Sequence, residues 1–110
     1  MEIKVIAKWE TQVKKGILDF IILLLLKQKD QYGYELLEHI KLEAGYDIGE
    51  GTIYPLLNRL KDDKLIESKW VEMDTGMPRK YYTITNSGIE ALDAMKTFWA
   101  LLTTNLEKLL

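Results

Sequence analysis

Two short stretches of this 110-residue chain carry side chains suited to gripping or reading a polar partner. The first is GEGTIYPLLNRL, Gly49 to Leu60, where Tyr54, Asn58 and Arg59 stand around Pro55; the second is TGMPRK, Thr75 to Lys80, which ends in Arg79 and Lys80. An asparagine amide sets a donor beside an acceptor, the arrangement that pairs with the major-groove edge of adenine, and an arginine fork matches guanine or phosphate. The tyrosine hydroxyl can donate to a phosphate while its ring meets a thymine methyl. Two adjacent cations in a turn suit a phosphate backbone, which they would grip without reading sequence.

Residue types that support other chemistry are scarce. The chain has no cysteine and one histidine, His39, which excludes a thiolate zinc site, a cysteine nucleophile and a disulfide framework. Glu35, Glu38 and Glu43 read as a solvated helix face. No glycine-rich phosphate loop and no hydrolase elbow occurs. The expectation is a protein that is not an enzyme and needs no metal or cofactor.

Composition bounds the rest. With 47% hydrophobic residues and two prolines the chain is expected to fold as one modest domain. The start, MEIKVIAKWETQVKK, lacks the apolar centre of a secretion signal, and the run FIILLLL, Phe20 to Leu26, is far too short to span a bilayer. A cytoplasmic protein without a membrane partner is expected. The net charge of −2 disfavours binding by a blanket positive field, but its distribution is uneven: +2 over residues 1–31, −4 over 32–51, +1 over 52–82 and −1 over 83–110. A localised basic strip on an acidic body remains compatible with a polyanion.

The elements that must position these groups follow from periodicity. TQVKKGILDFIILLLLKQ, 11–28, predicts a helix that is amphipathic in its first half and apolar all round in its second, which must then be covered on every side. YGYELLEHIKLEAG predicts a second helix with Leu36, Leu37 and Ile40 on one face and Gly45 as its stop. The third contains the opening stretch, with Ile53, Leu56, Leu57 and Leu60 forming its apolar stripe and Gly51, Pro55, Asn58 and Asp62 opposite. Its start is open between Thr52 as cap, with Pro55 in the first turn, and a position near Gly49, with Pro55 removing a bond to the Gly51 carbonyl. LIESKWVEM and RKYYTIT then predict a β-hairpin around the turn DTGMP, whose tip carries Arg79 and Lys80. NSGIEALDAMKTFWALLTTNLEKLL predicts a long last helix capped by Asn86 or Ser87.

Three helices, a hairpin and a further helix give a mostly α fold with a β-hairpin, an α+β winged helix-turn-helix over 1–85 followed by a C-terminal dimerisation helix over 86–110. A three-helix core is not expected to cover both the apolar first helix and the last one, so a homodimer is predicted.

The segments YGYELLEHI, GTIYPLLNRLKDDKLIES and PRKYYTITNSGIEAL resemble the PadR family of transcription regulators, from about Thr11 to the C-terminus. The single C-terminal helix resembles the compact subgroup of that family. The resemblance implies a dimeric winged-helix repressor on an inverted repeat of double-stranded DNA. It assigns Thr52, Tyr54, Pro55, Asn58 and Arg59 to the recognition helix and Arg79 and Lys80 to the wing. It also implies a planar cationic or aromatic effector stacking at the dimer centre, with Trp99 as the ligand-binding residue; the alternative for Trp99 is interface packing. Two departures stand out: the wing tip reads TGMPRK rather than glycine-rich, and Gly49 replaces a polar cap. The rival readings are a winged helix kept as a protein-interaction module without DNA binding, and an aromatic-pore ligand carrier.

Overall fold

The computed structural model describes residues 3–45 and 47–110. Helix α1 spans Ile3–Gln28, a two-residue strand β1 Gln31–Tyr32, and helix α2 Gly33–His39, which continues into a π-helical turn over Ile40–Ala44. Helix α3 spans Glu50–Asp62, strands β2 and β3 span Ile66–Met73 and Gly76–Ile84, and helix α4 spans Asn86–Glu107.

The core forms around the C-terminal half of α1. Leu18, Ile22, Leu23, Leu25 and Leu26 are buried there against Leu36 and Ile40, the α3 residues Ile53, Leu57 and Leu60, and Ile66, Tyr82 and Leu92. This corrects one expectation: α2, α3, the sheet and α4 of the same chain cover most of the run Phe20 to Leu26, leaving Phe20, Ile21 and Leu24 half-buried. The uncovered apolar surface lies elsewhere. Helix α1 starts at Ile3 rather than near Thr11, because no breaker interrupts the preceding residues, so Trp9 lies inside the helix instead of before it. Ile3, Val5, Trp9 and Val13 on this first half are exposed, as are Phe98, Leu101 and Leu106 on α4. The chain is correspondingly elongated, with extents of 53 × 32 × 22 Å and a radius of gyration of 15.9 Å. A compact domain of this length would have a radius of gyration of about 13 Å.

The sheet is antiparallel in the order β1-β3-β2. Strand β1 was absent from the sequence expectation, since two residues carry no period; it exists because β3 offers it an edge, pairing Gln31 with Tyr82 and Tyr32 with Tyr81. Gln31 is fully buried and fully engaged: its Nε2 donates to the Leu25 carbonyl at 3.0 Å and its Oε1 accepts from His39 Nδ1. One side chain thus joins α1, β1 and α2 and occupies the only histidine of the chain, and a buried amide left without these partners would carry its full desolvation cost. The expected second helix ends as predicted at Gly45, in the left-handed region at φ 79°, but its last turn is π-helical.

The hairpin turn is tighter than expected. Met73 pairs with Gly76 across Asp74 and Thr75, and Gly76 adopts φ 152°, a conformation open to glycine. Helix α4 is capped by Thr85, not Asn86 or Ser87. Thr85 Oγ1 accepts from the Gly88 amide at 2.9 Å and donates to the Lys64 carbonyl at 2.7 Å, and its amide donates to the Leu65 carbonyl at 3.0 Å. The same side chain therefore caps α4 and ties it to the turn after α3, setting the direction in which α4 leaves the domain.

Gly88 lies at that junction, where an added Cβ would fall 2.0 Å from the Leu65 carbonyl oxygen and 2.6 Å from Ile84. Gly88→Ala is therefore expected to destabilise the fold by roughly 2–3 kcal/mol through overpacking, read as a lower urea midpoint. Gly51→Ala, in a helical site with open space around it, should be neutral or stabilising by up to about 1 kcal/mol.

Candidate nucleic-acid interface

Helix α3 begins at Glu50 with Gly49 as its cap, the earlier of the two starts left open by the sequence. Pro55 thus lies inside the helix, and the Gly51 carbonyl loses its intrahelical donor on an exposed face where solvent or a partner can satisfy it. Ile53, Leu57 and Leu60 are buried and Leu56 is half-buried, while Gly51, Thr52, Tyr54, Pro55, Asn58 and Arg59 are all exposed.

The exposed residues divide between two flanks. On the hairpin side, Tyr54 and Asn58 line a cleft of about 480 Å³ with Arg79 and Lys80 from β3, Tyr32, Gly33 and Tyr34 from the start of α2, and Trp70 and Tyr82 from the sheet. On the α1 side, Thr52, Pro55 and Arg59 border a shallow depression with Lys15, Leu18 and Leu56. The structure brings Tyr54, Asn58, Arg79 and Lys80 together and sets Thr52, Pro55 and Arg59 apart from them. Arg59 is held from α1, its Nη2 lying 3.6 Å from Asp19 Oδ2.

Arg79 and Lys80 are not at the hairpin tip, which is a further correction. They lie well inside β3, paired with Val71 and Trp70 of β2, while Asp74 and Thr75 form the tip. The two-residue turn moves the strand start back to Gly76, so the two cations expected to open the strand beside the tip lie further along the ladder. Aromatic rings orient both cations: the Arg79 guanidinium lies 4.5 Å from the centre of the Tyr32 ring, and Lys80 Nζ lies 5.9 Å from that of Trp70. At such exposed sites a cation–π contact contributes about 0.5–1 kcal/mol, enough to bias a rotamer yet weak enough to yield to a phosphate.

The aromatic frame was missed in the sequence. Tyr32 meets Tyr81 edge-on with ring centres 5.4 Å apart. Tyr54 lies on the backbone of Gly33, where a Cβ would come within 2.4 Å of its hydroxyl, so a side chain at Gly33 would displace the ring. Burial, and secondarily the neighbouring Tyr54 phenol, push the Tyr82 phenol above its ordinary value. Tyr34 and Trp70 remain 58% and 69% exposed. The available signal was Trp70 in strand alternation next to basic residues. Among the described residues, the lining of this cleft contains two cations and no carboxylate. That local sign opposes the net charge of −2.

A second concavity, about 780 Å³, lies between α1 and α4 and includes Trp9, Val13, Phe20, Met95, Phe98 and Trp99. Trp99 is 38% exposed and its ring centre lies 6.1 Å from that of Phe20. Asp19 is the single charged residue among the described residues of this lining. Among the described residues, no group of three or more His, Cys, Asp or Glu converges to hold a metal ion, and no helix is long and apolar enough to cross a membrane.

Residues 22–94 match the model of the transcriptional regulator PadR-like family. The chain is similar to a PadR-like transcriptional regulator from Bacillus cereus, with a TM-score of 0.81 and 39% identity over 89% of this chain and 95% of that one. It is 32% identical to the negative transcriptional regulator PadR of Bacillus subtilis over 69% of its own length and 43% of that protein's. The structure of Bacillus subtilis PadR in complex with operator DNA superposes with a TM-score of 0.66 and 31% identity, covering 72% of this chain and 45% of that one.

The raised Tyr82 value has a definite sign. The fold favours the neutral phenol, so its contribution to stability is complete below the ordinary value of 10.0 and is lost as pH climbs through the higher folded value. In an alkaline titration followed by phenolate absorbance, the component missing from Tyr82→Phe should ionise above pH 10.0. Ionisation of that component at or below that pH would contradict the packing described for the cleft.

Proposed function

The chain belongs to the PadR-like family of transcriptional regulators, and from that premise we propose that it acts as a homodimeric repressor on an inverted repeat in double-stranded DNA. The observation that carries this reading is the cleft between α3 and the hairpin, where Tyr54 and Asn58 stand beside Arg79 and Lys80 with no carboxylate among its described lining residues. A recognition helix must bring its exposed N-terminal half into a major groove, and here that half exposes the small Gly51, Thr52 and Pro55 beside Tyr54, with Glu50 in the first turn as its one charge. Tyr54 and Asn58 then meet base edges, while Arg59, Arg79 and Lys80 hold phosphates on either flank. A protein-interaction module would also use a winged helix, but the locally positive, aromatic-framed cleft on an acidic chain favours a polyanion.

Dimerisation is supported by the exposed apolar faces of α1 and α4, including Trp9, Val13, Phe98 and Leu106. A second copy covering them would set two copies of α3 side by side for successive major grooves, and residues 86–110 serve as the dimerisation helix appended to the DNA-binding portion 1–85. The same assembly joins two α1/α4 concavities into a central cavity in which Trp99 can stack against a planar aromatic effector. The protein performs no catalysis in this reading and works in the cytoplasm. Repression is the favoured sense because the Bacillus subtilis relative is a negative regulator.

A gel shift on the DNA upstream of its own gene tests the reading, with a shift expected and no shift on that or any promoter fragment contradicting it. Asn58→Ala should reduce discrimination between operator and random DNA by about 1–3 kcal/mol. Lys80→Ala should instead weaken both by similar factors and lower the salt slope by about 1. Equal losses on the two DNAs for both variants would overturn the assignment of Asn58 to base reading. Gly33→Ala, which displaces Tyr54, should lower operator affinity without unfolding the domain.

A further inference from the structure

Asp19 occupies a boundary. Among the described residues it is the single charged one lining the concavity between α1 and α4, and its other side faces the recognition helix, with Oδ2 3.6 Å from Arg59 Nη2. Its Oδ1 accepts from the Phe20 amide at 2.9 Å, and the Phe20 ring is the one that meets Trp99. The carboxylate is about 29% exposed and the guanidinium 63%. The pair is thus too open to be a buried structural bridge, and either partner can exchange it for another.

From this we propose that Asp19 is a shared carboxylate: it makes the α1/α4 cavity select cationic over uncharged planar aromatics, and a bound cation competes with Arg59 for it. The proposal rests on the effector reading given above and adds to it the residue that sets charge preference and the route by which occupancy is felt on α3. In a cavity otherwise lined by apolar and aromatic residues, the ring faces attract a cationic ring system only modestly more than a neutral one of the same shape and supply no charge partner for it. One carboxylate does, because a cation that desolvates against it recovers a charge partner, while a neutral ligand leaves the carboxylate with Arg59.

The competition has a reciprocal form. If Arg59 weakens cation binding by a given factor, a bound cation weakens the hold of Asp19 on Arg59 by the same factor. The exposure of the pair limits that factor to roughly two- to five-fold. Arg59 borders the α1-facing flank of α3 beside Thr52 and Pro55, so its release alters the side of the recognition helix opposite the aromatic cleft. The signal needs no rearrangement of the core, because Asp19 stands on the same helix that lines the cavity.

The test is a double-mutant cycle on dye affinity, read by tryptophan fluorescence quenching of the full-length protein without DNA. Proflavine serves as the planar cation and lumiflavin as the uncharged tricycle of similar size. Asp19→Asn should weaken proflavine several-fold and leave lumiflavin unchanged. Arg59→Gln should tighten proflavine about two- to five-fold in the wild-type background and have no effect in the Asp19→Asn background. Lys61→Gln makes the same charge change on the same helix, and should leave proflavine affinity unaltered. Proflavine binding that ignores Arg59→Gln, or that tightens equally in both backgrounds, would overturn the shared carboxylate while leaving the effector cavity standing. Quenching by neither dye in the wild-type protein would overturn both.

Discussion

The molecule depends on a single uninterrupted helix performing two kinds of packing. The C-terminal half of α1 is the rod around which the core assembles, with Ile22 and Leu23 fully buried among residues from α2, α3, the sheet and α4. Its N-terminal half leaves that core and presents Trp9 and Val13 to solvent. Because helical hydrogen bonding runs through Gly16 without a break, whatever covers the first half is held in fixed relation to α3, which packs on the second. The hydrophobic effect makes the two halves unequal. One half is satisfied within the chain; the other leaves apolar surface of the kind that marks an interaction site.

The proposed nucleic-acid face follows from the same arrangement at one remove. Helix α3 is held by Ile53, Leu57 and Leu60, buried in the core it shares with the C-terminal half of α1, which fixes the outward direction of Tyr54 and Asn58. The hairpin is fixed to α1 and α2 through Gln31 and the β1–β3 ladder, which sets Arg79 and Lys80 across the cleft from them. Aromatic rings then limit where the cations can go. An acidic chain thereby presents two cations and no carboxylate in the described lining of this cleft, a distribution that favours a defined polyanion over indiscriminate charge attraction.

Much of this was legible in the sequence, and the failures have physical causes. The i, i+3, i+4, i+7 stripe of α3 and the change of period at Ile66 located that helix and the hairpin, because burial on one face leaves a mark in spacing. Gly45 marked a stop through its left-handed conformation. The two residues of β1 left no mark, since their structure is dictated by the edge of β3. The cap of α4 was displaced by a residue because Thr85 is recruited by a carbonyl distant in sequence, Lys64. Arg79 and Lys80 were expected at the hairpin tip because Met77 and Pro78 look like turn residues, whereas the tight turn at Asp74 and Thr75 sets them further along the ladder. The aromatic frame of the cleft was hidden because its members, from Tyr32 to Tyr82, converge only when the chain closes. The apolar run of α1 was read as needing a partner, and its own chain covers most of it; the exposed apolar surface of α1 is in the less conspicuous residues up to Val13, with more on α4.

The central claim is that a second copy covers the exposed faces of α1 and α4 and so pairs two recognition helices. Sedimentation equilibrium across a dilution series reaching down from micromolar concentration tests it most directly. The account predicts a species of twice the 12.8 kDa chain mass that persists through the micromolar range, with Trp9→Glu or Phe98→Glu shifting it to the single chain. A monodisperse 12.8 kDa species at micromolar concentration, stable and soluble with its apolar faces in water, would contradict it.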